Sequence, residues 1–357
     1  MSPTSNMLDP TTRRRWLQAC GAGALAAAAA PALAQRPLLP EHITPEALRA
    51  VEKGLAALAR LQSANGSFES QRDGATYPVA MASLAGMAFL SSGSTTTRGA
   101  HADRVRRVAG FVLAQSRPNG LIADARESGY SMYGHGFALL FLSCAYGMET
   151  RAEIRQEMAK KISAGILLTS RAQSRAGGWT YTPGSGDEGS VTITQMQGLR
   201  AAHNAGFTVP KSTIEKAIRY LEMCRTPDGG IRYSLASGNQ TRTPISAAAI
   251  ACLYSAGEYE SPLAESCLKH VFGQFENGRD FSFGAGHDFY TNQYAAQAFY
   301  QAGDKYWNAY FPKIRDHLTQ SQRDGLWNGD GVGQVYGTAI GLIILQLPYK
   351  FLPIYQR

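Results

Sequence analysis

Six short turns, each built around one glycine, recur along this chain and limit its fold more than any other feature. They run Gln62-Ser-Ala-Asn-Gly66-Ser-Phe68, Gln115 to Ile122 around Gly120, Gln173 to Trp179 around Gly177, Cys224 to Ile231 around Gly229, Gln274 to Phe281 around Gly278, and Gln322 to Trp327 around Gly325. The glycines lie 47 to 57 residues apart. A period in this range is the mark of a repeat architecture, in which one supersecondary unit is stacked on copies of itself.

Each turn separates two kinds of helical segment. Before it comes an amphipathic stretch, as in Ala47–Leu61 and Lys211–Met223, with apolar residues at every third or fourth position. After it comes a stretch rich in Ala, Gly and Leu with few charges: 77–91, 131–146, 191–205, 244–255, 290–302 and 336–347. A helix apolar on every side must be packed on every side. The expected architecture is all-α, an (α/α)6 toroid in which six hairpins place apolar helices in an inner ring and amphipathic helices outside. An open solenoid would need polar terminal repeats, and the first and last units have none.

The first 34 residues read as an export leader rather than as part of this fold. Thr12-Arg13-Arg14-Arg15-Trp16-Leu17-Gln18 has the form of a twin-arginine motif, Ala19–Ala30 is a short apolar stretch, and Ala32-Leu33-Ala34 is a small-x-small cleavage pattern. The stretch is too short to span a bilayer. The expectation is a periplasmic or secreted protein cleaved near Ala34–Gln35, with residues 35–357 forming one toroid domain. The formal net charge of the whole chain is +8, its Lys and Arg are scattered, and nucleic acid is not an implied partner. No later segment is expected to cross a membrane, while peripheral membrane contact and oligomeric state are left open. Cys144, Cys224, Cys252 and Cys267 form no C-x-x-C pair and read as small buried hydrophobes in preference to a Cys224–Cys267 disulfide. No cofactor or metal spacing is identified.

The pattern Gly54-x3-Leu58-x3-Gln62-x3-Gly66-x-Phe68, with Gln173-x3-Gly177-Gly178-Trp179, resembles the repeat of squalene cyclases and protein prenyltransferase β subunits over essentially all of residues 35–357. The resemblance implies the fold. It implies their chemistry less, because the Asp-x-Asp-Asp acid motif of the cyclases is absent and Thr291 stands where the prenyltransferases carry a zinc histidine. The same fold class also hosts polysaccharide lyases and glycoside hydrolases.

In a ring of such hairpins all six inner helices start at one mouth, where their N–H groups would favour an anionic or hydroxyl-rich ligand. Near those starts lie Tyr77, Tyr130, Tyr133, Gln195, Tyr290, Asn292 and Tyr336 as candidate ligand-binding residues, and His135, His287, Asp288 and Tyr294 as candidate catalytic ones. Tyrosines around a cavity could face a carbocation or stack on sugars. The same rings would equally fill a core, and the cavity is the expectation. For His287 and Asp288 the preferred reading is a surface histidine beside a helix cap; Asp187 and Glu188 could likewise cap the third inner helix or serve as acids. Three functions follow: an isoprenoid- or other apolar-ligand toroid, expected first from the resemblance and needing a deep dry cavity; a periplasmic glycan-active enzyme with a wide wet cleft; and a non-catalytic binding ring.

Overall fold

Helix α1 (Pro45–Arg60) shows how a hairpin begins. Thr44 is extended, its hydroxyl accepts the Ala47 N–H at 3.2 Å, and Pro45 opens the first turn. One face of the helix, including Ala47, Val51, Leu55 and Leu58, is buried. Gly66, at φ +93°, then turns the chain, and α2 (Pro78–Ser91) follows with every residue buried. Between them β1 (Gln71–Arg72) pairs antiparallel with β2 (Ala75–Thr76).

The unit repeats through α3 (Ala102–Ala114) and α4 (Ser131–Tyr146), α5 (Ala152–Arg171) and α6 (Gly189–Asn204), α7 (Lys211–Met223) and α8 (Thr243–Ser255), α9 (Pro262–Glu276) and α10 (Asp288–Ala302), and α11 (Asp304–Ser321) and α12 (Gln334–Gln346). Odd helices are outer and even ones inner. This computed structural model describes residues 39–69, 71–72, 75–127, 129–278, 281 and 286–355, so the leader reading lies outside the described residues. Residues 40–357 form one unit. Among the described residues, no helix is long and apolar enough to cross a membrane.

Each inner helix packs on its inner neighbours, and α12 returns to α2. The seam is sealed by Gln346 Nε2 on the Ala88 carbonyl at 3.1 Å, Gln322 Nε2 on that of Ala50 at 2.8 Å, and Arg315 Nη1 on that of His42 at 2.6 Å. The ring is therefore closed, as the absence of polar terminal repeats predicts.

The repeat residues hold neighbouring hairpins together. Gln62 Nε2 donates to Gly66 O in its own turn and to Arg104 O of the next outer helix, and Gln173 repeats this with Gly177 O and Thr213 O. The residue after the turn then bonds the inner helix. The N–H of Trp179 meets Thr192 Oγ1, that of Ile231 meets Ser246 Oγ, and that of Trp327 meets Thr338 Oγ1, at 2.8 to 3.0 Å. A further 3-10 turn, Pro353–Tyr355, packs on α6, and its Ile354 carbonyl accepts from Gln301 near the end of α10. It closes the end of the ring opposite the inner-helix starts.

A tyrosine basin floored by capping carboxylates

The inner-helix starts do converge, but at α2, α4, α6 and α10 first-turn amides are already taken by the chain itself. Glu127, from the 3-10 turn Ala125–Glu127 ahead of α4, reaches back to α2 and accepts the Val79 N–H at 2.8 Å. Glu188 caps its own α6, accepting Val191 N–H at 2.5 Å and Ser190 N–H at 2.8 Å. Asp330, ahead of α12, reaches back to α10 and accepts the Phe289 and Tyr290 N–H groups at 3.0 Å each. Main-chain carbonyls do the same work elsewhere: Tyr181 O takes Met132 N–H of α4, and Tyr233 O takes Gly189 N–H of α6. Buried N–H groups need partners and carboxylates suit the positive end of a helix. The expected address for an anion is therefore corrected. At α2, α6 and α10 the chain's own carboxylates occupy it.

Above these caps stands a wall of tyrosines. Tyr77 meets Tyr130 edge-on at 5.8 Å, Tyr130 meets Tyr181 at 5.2 Å, and Tyr133 lies 5.7 Å from Tyr181. Tyr181 shares a hydrogen bond with Tyr233, and Tyr133 shares one with Ser190 Oγ, which in turn donates to Glu188. Across the basin Tyr290 packs on Tyr294 at 4.9 Å, and the Tyr336 hydroxyl donates to Asp330 at 3.3 Å. Tyr130 is 41% exposed, and Tyr77, Tyr133, Tyr181, Tyr233 and Tyr290 are partly so.

Below this level the bore is filled. Through their middle turns the inner helices bury every side chain. Tyr294 is wholly buried, Gln197 Nε2 donates to Gln297 Oε1 at 2.7 Å between α6 and α10, and Leu352, Ile354 and Tyr355 of the tail are buried as well. Among the described residues, side chains occupy the bore at this depth, where an isoprenoid reading calls for a deep dry cavity.

Burial governs the chemistry of the basin floor. Glu127 is 1% exposed, and desolvation lifts its carboxyl to about 7 despite the amides it accepts. Its Oε2 has no partner among the described residues. Glu188 is also raised, first by burial, with Ser190 and the amides pulling the other way. Tyr133, Tyr290 and Tyr336 are pushed well above the ordinary phenol range by burial, so their hydroxyls stay protonated.

The candidate residues divide accordingly. Tyr77, Tyr130, Tyr133, Tyr290 and Tyr336 line the basin. Tyr294 lies beneath Tyr290. Gln195 is wholly buried, bonding Met132 O at 2.7 Å and so tying α6 to α4. Asn292 faces the outer wall, donating to Asp288 O and accepting the Tyr310 hydroxyl, both at 2.8 Å. His135 is a strut rather than a mouth group. Its Nδ1 accepts the Ile122 N–H at 3.1 Å, where other units use Ser or Thr, its Nε2 meets Thr169 Oγ1 at 2.9 Å, and burial depresses it to about 4. His287 is exposed while Asp288 is buried, and burial holds His317 of α11 below the ordinary imidazole range, with the Asp288 charge opposing it. The four cysteines are free thiols, three buried and Cys144 half-buried. Among the described residues no three His, Cys, Asp or Glu are grouped to hold a metal.

No protein-family model and no curated protein sequence matches the chain. Solved structures do. A variant of the GH76A α-1,6-mannanase of Salegentibacter sp. HEL1_6, in complex with α-1,6-mannotetrose, matches with a TM-score of 0.63 at 9% identity, over 85% of this chain and 98% of that one. The type II terpene cyclase MstE from Scytonema matches with a TM-score of 0.60 at 13% identity, over 87% of this chain and 100% of its own. A protein from Actinoplanes matches at 0.58 and 15% identity, over 85% and 99%. At these identities the likeness shows the α/α toroid fold alone.

Proposed function

We propose that this is an exported glycan-active protein that holds a neutral oligosaccharide in the tyrosine basin, with Glu188 and Glu127 as its proton-carrying groups. The observation that carries the reading is a shallow, partly exposed tyrosine basin over a filled bore. Flat rings with polar edges suit sugar faces, whereas a polyisoprenoid needs depth. Because the chain's own carboxylates cap three of the helix starts, a neutral glycan is favoured over a uronic acid polymer.

Glycoside hydrolysis needs two carboxyl groups in different protonation states. Two of the mannanase structures are inactive variants in which two consecutive aspartates are replaced. In this chain the one place with two consecutive carboxylate residues is Asp187-Glu188. Asp187 faces Ser174 at the outer side, leaving Glu188 on the basin. Glu127, protonated near neutrality by burial, is the second proton holder.

Calorimetric titration with α-1,6-mannooligosaccharides, β-glucan oligosaccharides and geranylgeranyl diphosphate tests this. The expected outcome is binding of a neutral glycan, weakened about tenfold or more by Tyr181→Ala, with Glu188→Gln abolishing release of new reducing ends. Binding of the diphosphate alone would overturn the reading. Export is tested separately, by N-terminal sequencing of the protein from its native host; the expected first residue is Gln35.

A further inference from the structure

Glu188 belongs to the basin floor, yet it is only 2% exposed and both of its oxygens are engaged inside the chain. Oε1 accepts the Val191 N–H at 2.5 Å and Oε2 accepts the Ser190 N–H at 2.8 Å. The Ser190 hydroxyl donates to the same carboxylate, at 2.9 Å from Oε1 and 2.8 Å from Oε2. A carboxylate held in this way cannot lie against a ligand. Any proton it exchanges with the basin must cross another side chain.

Ser190 and Tyr133 supply that crossing, and the hydrogens fix its direction. A serine hydroxyl has one proton to give. That of Ser190 goes to Glu188, so in the hydrogen bond between Ser190 and Tyr133 the phenol is the donor. The Tyr133 oxygen keeps acceptor capacity for a donor on the basin side, where the residue is partly exposed. The chain of hydrogen bonds therefore runs inward, from the basin through phenol and serine to the carboxylate. Tyr133 is on α4 and Ser190 on α6, so the path exists only where the second and third hairpins meet. Burial raises the Glu188 carboxyl above its ordinary range, which suits it to keep a proton that arrives.

We propose, on the glycan reading of the basin, that Tyr133 is the general base in contact with the attacking water and that Ser190 relays the proton on to Glu188. In the hydrolytic step the oxygen of a water bonds to the anomeric carbon while its proton passes to the Tyr133 oxygen. The phenolic proton passes to Ser190 and the serine proton to Glu188. The glycosidic C–O bond breaks, and its oxygen leaves with the proton held by Glu127. Glu188 ends protonated and Glu127 ionised, and exchange with solvent resets both. The protons move together, because burial keeps Tyr133 from standing as a free phenolate.

The test pairs calorimetric affinity for α-1,6-mannotetraose and a β-glucan tetrasaccharide with kcat for release of new reducing ends in mixtures of H2O and D2O. Ser190→Ala should lower kcat about a hundredfold and leave affinity within about twofold. The plot of rate against deuterium content should be curved in the parent, where several protons move, and straight in Ser190→Ala. A serine that only packed would not change that curvature. Tyr133→Phe should lower kcat as much, and it keeps the path testable if Ser190→Ala fails to fold. Ser170→Ala, whose hydroxyl bonds only the Ile166 carbonyl on α5, should match the parent. No binding of either tetrasaccharide would remove the glycan reading and the relay with it. Binding without cleavage, cleavage unchanged in Ser190→Ala, or a straight plot in the parent would each overturn the relay alone and leave a glycan-binding basin.

Discussion

The third and fifth hairpins carry the same turn, yet one is shut and the other open. In the third, Gly177 lies on the Lys216 carbonyl, Gln173 bridges to Thr213, and Trp179 is 1% exposed with Nε1 on Thr169 O at 2.7 Å. In the fifth, a Cβ at Gly278 would meet nothing within 4 Å among the described residues, and the half-buried Phe281 borders a cavity. The repeat therefore specifies that a hairpin is made. It does not by itself specify that the hairpin is seated. Seating depends on whether the large residue after the turn is fully enclosed.

The largest expected effect is at that residue. Trp179→Ala should cost about 3–5 kcal/mol in urea unfolding, while Phe281→Ala should cost about 1–2 kcal/mol, because the half-buried ring loses only its edge contacts with Phe275 and Tyr310. Equal losses would break the comparison.

The shut joints also keep titratable groups dry. The folded state holds Glu127 protonated up to about pH 7, where an unfolded carboxyl ionises near 4.5. Its contribution is complete below 4.5 and is lost as pH rises through 7. His135 acts in the opposite sense. It stays neutral in the fold down to about 4, against 6.5 unfolded, so its contribution is complete above 6.5 and falls away toward 4. Each is worth about 3 kcal/mol, and between pH 4.5 and 6.5 they offset one another. Glu127→Gln keeps the acceptor for Val79 and removes one side of the balance. Its melting temperature should therefore fall with acid more steeply than that of the parent, and exceed it at pH 8 if the cap geometry holds.

Two smaller effects follow. Gly177→Ala forces a side chain into φ +103° and onto a carbonyl, a loss of about 2–3 kcal/mol, whereas Gly278→Ala should lose about 1 kcal/mol for its positive φ alone. Gln62→Ala should cost about 1 kcal/mol through its two backbone hydrogen bonds.

Much of the fold was legible in the sequence. The second inner helix spans 131–146 and the outer helix Lys211–Met223 as the spacing predicts, and the other inner helices begin within two residues of expectation. Periodicity reports burial around a helix, and the glycines report where each one stops. The tyrosines of the basin were legible for the same reason, since position at a helix start fixes which end of the ring they share. Glu127, Asp330, Tyr181 and Tyr233 were not foreseen. They sit in loops, Glu127 at the end of a short 3-10 turn, and act on another hairpin, and no local pattern marks that reach. His135 was placed at the right height on the wrong side. Its ring turns outward to Thr169, a choice that depends on which of two neighbours offers a hydrogen bond.

The caps run in one direction around the ring. The loop of the second hairpin finishes the inner helix of the first, that of the third finishes the second, that of the fourth finishes the third, and that of the sixth finishes the fifth. A chain synthesised from its N-terminus therefore trails an unfinished helix end at each of these stages. The first hairpin must also wait until Gln346 arrives, 258 residues after Ala88, to be closed on its other side. Partial products of translation should thus be poor folders at every length short of the sixth hairpin, and a stop codon late in the gene should be as damaging as one near its middle.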